Sequence, residues 1–150
     1  VFCFGVNTLG SSVLDPMLIR WSDQEDVADW TPSATNQAGS LRLSRGSEII
    51  AAVQARQALN VWTNSAIYSL QYLGGQFVWG AQLIGDNISV VSPNAVVSAN
   101  GVSYWMGKDK FYMYDGRLQP LPCDLLRHIF SDFNVVQSDQ VFGGTNEEFH

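Results

Sequence analysis

Short runs of strand length, separated by clusters of turn residues, recur along almost the whole chain, and this pattern constrains the fold more than any other feature. Apolar residues in these runs are followed by Asn, Gly, Ser, Asp or Pro, which is typical of strands joined by tight turns. The pattern predicts a mainly β chain. The runs cover residues 17–22, 40–44, 47–56, 58–63, 66–73, 76–84, 94–99, 101–107, 110–116 and 117–122.

The sequence FYMYDGRLQPLP, residues 111–122, gives the most specific hairpin signal. Side chains of a strand alternate between its two faces, so the run FYMY places large apolar side chains on both. Asp115-Gly116 predicts a two-residue turn, because Gly readily adopts the positive φ that such turns need. A strand that is apolar on both faces has no side for solvent, which places it between two other layers.

Two segments carry helical signals of different strength. Residues 123–133, CDLLRHIFSDF, combine Asp124 as an N-cap with apolar residues at helical spacing, and they predict one short helix. His128 within it is interpreted as a half-buried or exposed helix residue rather than a catalytic one. Residues 48–59, EIIAAVQARQAL, are interpreted as a strand, with a short amphipathic helix as the alternative because Ala, Gln and Arg favour helices.

Residues 59–75 and 102–121 resemble each other in organisation, since each reads as strand, turn and strand with aromatic residues at similar places. Repeated antiparallel units of roughly 40 residues are typical of β-propellers, whose blades bury their faces against their neighbours. At that period the chain would hold about three propeller-like blades, too few to close a ring alone. The matched positions, which are predicted core residues, are Trp62 with Trp105 and Tyr68 with Tyr112.

The start of the chain bears on domain organisation. The first residue is Val1 rather than Met, no basic leader is present, and the opening residues already read as a strand entering a turn. We therefore interpret residues 1–150 as one β-propeller segment, an interior fragment of a longer chain.

An acidic stretch, SDQEDVADW at residues 22–30, is the densest group of oxygen ligands in the sequence. A calcium loop needs acids at alternating positions and a Gly for its sharp turn, and this stretch lacks that Gly. The favoured interpretation is a solvated turn in which Ser22 or Asp23 caps backbone amides, with a divalent-metal site as the alternative. The acids concerned are Asp23, Glu25, Asp26 and Asp29.

Charge and hydropathy exclude two classes of partner. Fourteen acidic residues face eight basic ones, for a net charge of −6, and the only two lysines, Lys108 and Lys110, lie in one turn. Phosphate contacts need clustered Lys and Arg, so tight nucleic-acid binding is disfavoured. No stretch approaches the roughly 18 uninterrupted apolar residues that a membrane helix requires. We therefore expect no membrane span.

Motifs that carry catalysis or hold a cofactor are missing from the sequence. The Gly-Gly pair in YLGGQF is followed by another predicted strand, whereas a phosphate-binding loop opens a helix. No Gly-x-Ser-x-Gly stretch occurs, and the histidines are His128 and His150. We therefore predict neither enzymatic activity nor a cofactor. Cys3 and Cys123 are interpreted as free thiols, with a disulfide as the alternative.

Three stretches, residues 17–43, 61–80 and 101–123, resemble the tail nozzle proteins of short-tailed bacteriophages, also called packaged-DNA stabilisation or tail tubular proteins. The resemblance covers roughly residues 5 to 149. Its distinctive pieces are Arg-x-Ser-Asp followed by Asp-Trp-Thr-Pro, Asn-Gln-Ala-Gly at 36–39, Trp62-Thr63 with Tyr68, and Tyr-Trp-Met-Gly at 104–107 with Tyr-Asp-Gly at 114–116.

The resemblance implies a structural virion protein of propeller fold. Such a subunit belongs to a homo-oligomeric, sixfold ring below the portal and adaptor proteins, where the ring retains packaged DNA and forms its exit channel. Tail fibre or needle proteins are further possible partners, and DNA passes through without specific binding. The implied location is the tail of the virion, after assembly in the host cytoplasm. Asp23, Glu25, Asp26 and Asp29 would then lie in a lumen-lining or subunit-contact loop.

A second hypothesis comes from a different class: a carbohydrate- or receptor-binding β-domain of a phage tail. Exposed tryptophans would form its sugar-stacking platforms, and Trp21, Trp30 and Trp79 are the candidates. A third, a glycoside hydrolase of propeller fold, would make Asp23 or Asp26 essential for turnover. The carbohydrate- or receptor-binding domain is the runner-up to the nozzle hypothesis.

Overall fold

A computed structural model describes residues 1–75 and 77–146. Within them the chain forms eleven strands, one short α-helix and one 3₁₀ helix over Val135–Gln140. The strands and the α-helix are β1 (Phe2–Phe4), β2 (Leu18–Trp21), β3 (Gly39–Arg42), β4 (Ile49–Gln54), β5 (Leu59–Thr63), β6 (Ala66–Tyr72), β7 (Trp79–Asp86), β8 (Val96–Ala99), β9 (Val102–Met106), β10 (Phe111–Tyr114), β11 (Leu118–Leu121) and α1 (Leu126–Ser131).

The strands form three antiparallel sheets in which neighbours in sequence are neighbours in space. Sheet I has the order β1-β2-β3, sheet II the order β4-β5-β6-β7, and sheet III the order β8-β9-β10-β11. The prediction of a mainly β chain is therefore confirmed. The alternative helix over residues 48–59 is wrong, because β4 pairs with β5 in a register that places Ala51 opposite Trp62. Its β-branched residues favour the strand.

Two predicted boundaries differ from the structure. The run at 76–84 becomes a strand only at Trp79, because Gly74 and Gly75 both have positive φ, 72° and 64°, and extend the turn. The turn after β10 has three residues rather than two, since Tyr114 pairs with Leu118. There the Asp115 carboxylate accepts a hydrogen bond from the amide two residues later, at 3.0 Å, which favours the longer turn.

Two apolar clusters lie between the sheets, and together they cover both faces of sheet II. Because side chains alternate along β6, Tyr68 faces sheet I while Ile67 faces sheet III. Burying each large aliphatic side chain contributes about 1.5–3 kcal/mol. The cluster between sheets I and II contains Met17, Ile19, Trp21, Leu43, Val61, Ala66, Tyr68 and Leu70. The cluster between sheets II and III contains Ala51, Trp62, Ile67, Val90, Ala95, Val96, Trp105 and Tyr112.

Aromatic rings join sheets II and III at the centre of the second cluster. Trp62 meets Trp105 edge to face, with 5.3 Å between ring centroids, and Trp105 stacks on Tyr112 at 5.4 Å. Such pairs add about 0.5–1.5 kcal/mol beyond the area they bury. Asn60 Nδ2 donates to Ser103 Oγ at 3.2 Å across the same interface. The exposed fractions of Trp62, Tyr68, Trp105 and Tyr112 are 0%, 4%, 3% and 6%.

For the tryptophans, the equivalent positions of sheets II and III differ by one residue from those predicted by the sequence match. Trp105 is opposite Tyr112 in the sheet III register, and both face back towards sheet II. In sheet II the pair that faces back towards sheet I is Val61 with Tyr68. Tyr68 and Tyr112 therefore occupy equivalent positions, but Trp105 is equivalent to Val61. Trp62 lies on the face of sheet II that meets sheet III, which is why it contacts Trp105.

Successive sheets have the same orientation in the stack, with first strand near first strand and last strand near last strand. The first strands of sheets II and III, β4 and β8, approach each other, and so do the last strands of sheets I and II, β3 and β7. By this correspondence β1, β2 and β3 match the second, third and fourth strands of the other sheets. Within the described residues, sheet I has no counterpart of β4 and β8.

The predicted helix over 123–133 is shorter than expected. Helix α1 spans six residues, and its N-cap is Leu125, not Asp124, with no side-chain hydrogen bond at the cap. Phe130 of the helix packs against Phe111 of β10 with ring centroids 5.6 Å apart, which holds the helix on the outer face of sheet III. Among the described residues, no helix is long and apolar enough to cross a membrane. Cys3 and Cys123 are free thiols.

Candidate functional site

The loop between β2 and β3 carries the four predicted acidic residues, and two hydrogen bonds close it at its base. The Asp23 amide donates to the Asp29 carbonyl at 2.9 Å, and Asp23 Oδ1 accepts from the Gln37 amide at 2.6 Å. The carboxylate of Asp23 thus joins the two ends of the loop. Asp23 therefore caps a backbone amide 14 residues further along the chain, and not the local amide that the turn pattern predicted.

Two more of the acids bind the loop's own polar groups. Asp29 Oδ1 accepts from the Thr31 amide at 3.1 Å, and its Oδ2 accepts from Asn36 Nδ2 at 2.8 Å. Asp26 Oδ1 accepts from the Ala28 amide at 2.9 Å. These carboxylates therefore shape the loop. In the part of the chain that the structure describes, no group of three or more His, Cys, Asp or Glu side chains is placed to hold a metal ion.

Glu25 differs from the other three acids. Its side chain is exposed, and its backbone has a φ of 63°, in the left-handed region that L-residues with a Cβ seldom adopt. This conformation costs about 1–2 kcal/mol for a residue other than Gly. Glu25 lies in the segment that the hydrogen bond from the Asp23 amide to the Asp29 carbonyl closes.

A groove of about 470 Å³ separates the acidic loop from the turn end of the β6–β7 hairpin. Its aromatic side is built around Trp79, whose ring meets Phe2 at 5.0 Å and Tyr72 at 5.4 Å, both edge to face. The opposite side carries the carboxylates of Asp23 and Glu25 together with amide side chains. The groove is lined by Val1, Phe2, Trp21, Ser22, Asp23, Gln24, Glu25, Gln37, Tyr72, Val78 and Trp79.

The three candidate tryptophans have different environments. Trp21 is only 5% exposed, and its Nε1 donates to the Gln37 carbonyl at 2.8 Å, so it is part of the floor and no open platform. Trp30 lies outside the groove, with the Arg20 guanidinium 5.9 Å from its ring centroid. Trp79 is half-buried and contributes its ring to the groove wall. A sugar-stacking role is therefore open to Trp79 alone of the three within this groove.

The predicted site residues do not converge in one place. Asp23 and Glu25 line the groove, whereas Asp26 and Asp29 accept hydrogen bonds from amides of the loop. The predicted core residues lie between the sheets. Phe2, Gln37 and Tyr72 also line the groove, although no sequence pattern predicted them there. For Tyr72 a signal was present, since it precedes the Gly-Gly turn by two residues. His128 lies on α1, and His150 lies outside the described residues.

Two side chains away from the groove have altered proton affinity. The Arg42 guanidinium, bonded to Asp15 Oδ2 at 2.6 Å, and the Met17 amide lower the pKa of the half-buried Asp15 carboxyl. Burial raises the pKa of Tyr112, and the nearby Asp109 carboxylate raises it further. Neither group faces the groove.

A comparison with models of known protein families gives no match to this chain. A comparison with curated proteins gives none either.

Proposed function

We propose that this chain is a β-propeller-like segment of a structural virion protein, a subunit of the tail nozzle ring of a short-tailed bacteriophage. The observation that carries the proposal is the order of the sheets: three consecutive antiparallel sheets, stacked face to face, with equivalent strands of successive sheets side by side. Consecutive propeller blades have the same relation. In that arrangement, β4 and β8 are the inner strands and β3 and β7 the outer ones.

The charge of the chain supports a channel through which DNA moves freely. A net charge of −6 repels phosphate within about 8–10 Å at physiological salt, so a duplex would slide past such a wall without being held. The proposed partners are other copies in a hexameric ring, the portal and adaptor proteins, and tail fibre or needle proteins. The acidic loop lies at the lumen or at a subunit contact, where its internal hydrogen bonds keep its shape fixed.

The test is the assembly state of the full-length protein, measured by light scattering and particle imaging, alone and mixed with portal and adaptor rings of the same virus. We expect a sixfold ring with an axial channel that docks onto the portal assembly. A stable monomer that ignores the portal would overturn the proposal.

The groove favours one second candidate, a carbohydrate- or receptor-binding β-domain. A half-buried Trp79 beside Tyr72, facing the Asp23 and Glu25 carboxylates and two glutamine amides, has the aromatic and polar groups that bind sugars. Glycan titration monitored by tryptophan fluorescence tests this function. Quenching that is lost in Trp79→Ala and kept in Trp30→Phe, outside the groove, would support it, and no response to any glycan would reject it.

A further inference from the structure

The groove between the acidic loop and the β6–β7 hairpin has two walls of different chemistry, and the first is aromatic. Trp79 contacts both Phe2 and Tyr72, whose ring centroids lie 5.0 and 5.4 Å from its own. Tyr72 is 53% exposed and Trp79 is half-buried, so a ligand in the groove reaches both rings. Because the three rings already hold one another, few protein side chains have to be ordered when a ligand binds.

The opposite wall carries two carboxylates that no basic side chain neutralises. Asp23 Oδ1 accepts from the Gln37 amide at 2.6 Å, whereas its Oδ2 and the Glu25 carboxylate have no partner among the described residues. Both carboxylates therefore present their negative charge to the groove. The ion pairs of the described residues lie elsewhere, at Asp15, Asp86 and Asp109.

The charge of this wall decides which ligands can enter. In the part of the chain that the structure describes, no Lys or Arg side chain lines the groove. The amino group of Val1 lines it, but that group donates to Ser22 Oγ at 3.1 Å and pairs with neither carboxylate. Uronates, sialic acids, phosphates and sulfated sugars are repelled. A cation is attracted by both carboxylates, and it gains further next to the face of an aromatic ring.

Two side-chain amides give the groove groups that suit hydroxyls. Gln24 and Gln37 both line it. An amide side chain has one acceptor oxygen and two donor hydrogens, so it bonds a hydroxyl in either sense. The groove volume of about 470 Å³ lies within the range of about 300–1,000 Å³ that is typical of small-molecule sites. The complementary ligand thus combines an apolar ring face, several hydroxyls and a positive charge.

We infer that the groove binds an amino sugar, a hexose unit with a free, protonated amino group; the inference rests on the second proposed function, carbohydrate binding. The sugar ring stacks on Trp79, and its ammonium group donates hydrogen bonds to the carboxylates of Asp23 and Glu25. Hydrogen bonds between charged groups are roughly twice as strong as neutral ones. Stacking therefore accepts many sugars, whereas the ammonium group selects among them.

A basic peptide is the other class of ligand that carries a positive charge. Its Lys or Arg side chain has no hydroxyl, so it would leave the amides of Gln24 and Gln37 unused. Its backbone would also bring N–H and C=O groups that need partners of their own. An amino sugar uses both walls of the groove and the amides at once, which favours it over the peptide.

The decisive comparison is between a glucosamine tetramer and the same tetramer with every amino group acetylated, each titrated into the protein by isothermal titration calorimetry. At about pH 6 free amino groups are protonated and carboxylates are ionised, so only the first tetramer is a cation. We expect it to bind about tenfold more tightly than the acetylated tetramer. Tetragalacturonate, which is anionic, should not bind, and binding of this sugar would contradict the inference.

Variants assign the selectivity to the groove. Glu25→Gln removes a carboxylate and keeps its shape, so the affinity for the glucosamine tetramer should fall about threefold to tenfold, with that for the acetylated tetramer unchanged. The matched control is Asp26→Asn, which removes the same charge from the same loop outside the groove and still accepts from the Ala28 amide. It should leave both affinities unchanged. Trp79→Ala should weaken both tetramers.

Each other result separates the inference from the function on which it rests. If the acetylated tetramer binds as tightly as the glucosamine tetramer, the inference is wrong and carbohydrate binding stands. If neither binds, both are wrong, while ring assembly is tested independently. Equal losses in Asp26→Asn and Glu25→Gln would overturn the inference by showing attraction to the whole loop. Tighter binding of a tri-arginine peptide, lost in Glu25→Gln, would assign the groove to a basic peptide.

Discussion

At the scale of single residues, the interface between sheets II and III depends on a few large rings. Trp105 lies between Trp62 and Tyr112, at centroid distances of 5.3 and 5.4 Å, and is 3% exposed. Trp105→Ala should lower the free energy of unfolding by about 3–5 kcal/mol, as is usual when a buried aromatic is removed. Urea denaturation measures this loss. The control is Phe142→Ala, at an 80% exposed position, where a comparable loss would contradict the explanation.

The raised pKa of Tyr112 predicts how the free energy of unfolding depends on pH. Its pKa is raised in the folded protein, chiefly by burial and then by Asp109, so the folded state holds the phenolic proton more tightly than the unfolded state does. The resulting stability is fully present below the unfolded pKa of about 10 and is lost as pH rises through the folded pKa. Denaturation curves at increasing alkaline pH should therefore show a steeper loss in the native protein than in Tyr112→Phe. Parallel losses would assign the effect to other groups.

Glu25 offers the opposite kind of prediction, a stabilising substitution. Its φ of 63° costs a residue with a Cβ about 1–2 kcal/mol, and Gly avoids that cost. Glycine also raises the entropy of the unfolded chain, which offsets part of the gain. Glu25→Gly should therefore stabilise the fold by up to about 1 kcal/mol in thermal or urea denaturation. A destabilised variant would show that the Glu25 side chain contributes contacts of its own.

At the scale of elements, the acidic loop combines four acids in different roles. Asp29 accepts two hydrogen bonds, from the Thr31 amide and from Asn36 Nδ2. Removing them in Asp29→Ala should cost about 1 kcal/mol per bond at most, because the loop is exposed. The local effect should be larger than the global one: hydrogen exchange of the loop amides should accelerate while β5 amides stay unchanged. Exchange that rises equally in both would mean that the loop supports the whole core.

The elements also show what sequence patterns reveal and what they leave open. Alternation and turn residues located all eleven strands, the first from the opening residues of the chain, because both are local properties of the chain. They did not reveal which face a residue uses: Trp62 and Trp105 match in sequence, yet Val61 is the residue equivalent to Trp105. That assignment depends on register, which is set by contacts between sheets. Phe2 and Tyr72 both line the groove although they are far apart in the sequence, so local patterns could not predict that they meet.

At the scale of the whole molecule, the position of sheet II between the other two sheets makes stability uneven along the chain. Val61, Ile67 and Leu70 are fully buried, and the strands that carry them are covered on both faces. Helix α1 and the 3₁₀ helix over Val135–Gln140 contain no buried residue. Local opening costs least where few apolar contacts are broken. The helical segment over residues 126–140 should therefore open without disturbing the stack of sheets.

Native-state hydrogen exchange checks this distribution directly. Amides of β5 and β6 should exchange only when the whole structure unfolds, so their opening free energy should equal that from denaturation. Amides of 126–140 should exchange many orders of magnitude faster, and Trp105→Ala should shift β5 and β6 while leaving that segment unchanged. Equal protection throughout would mean that the helical segment folds as one unit with the sheets. Protection confined to sheet III would instead show that the three sheets do not share one cooperative core.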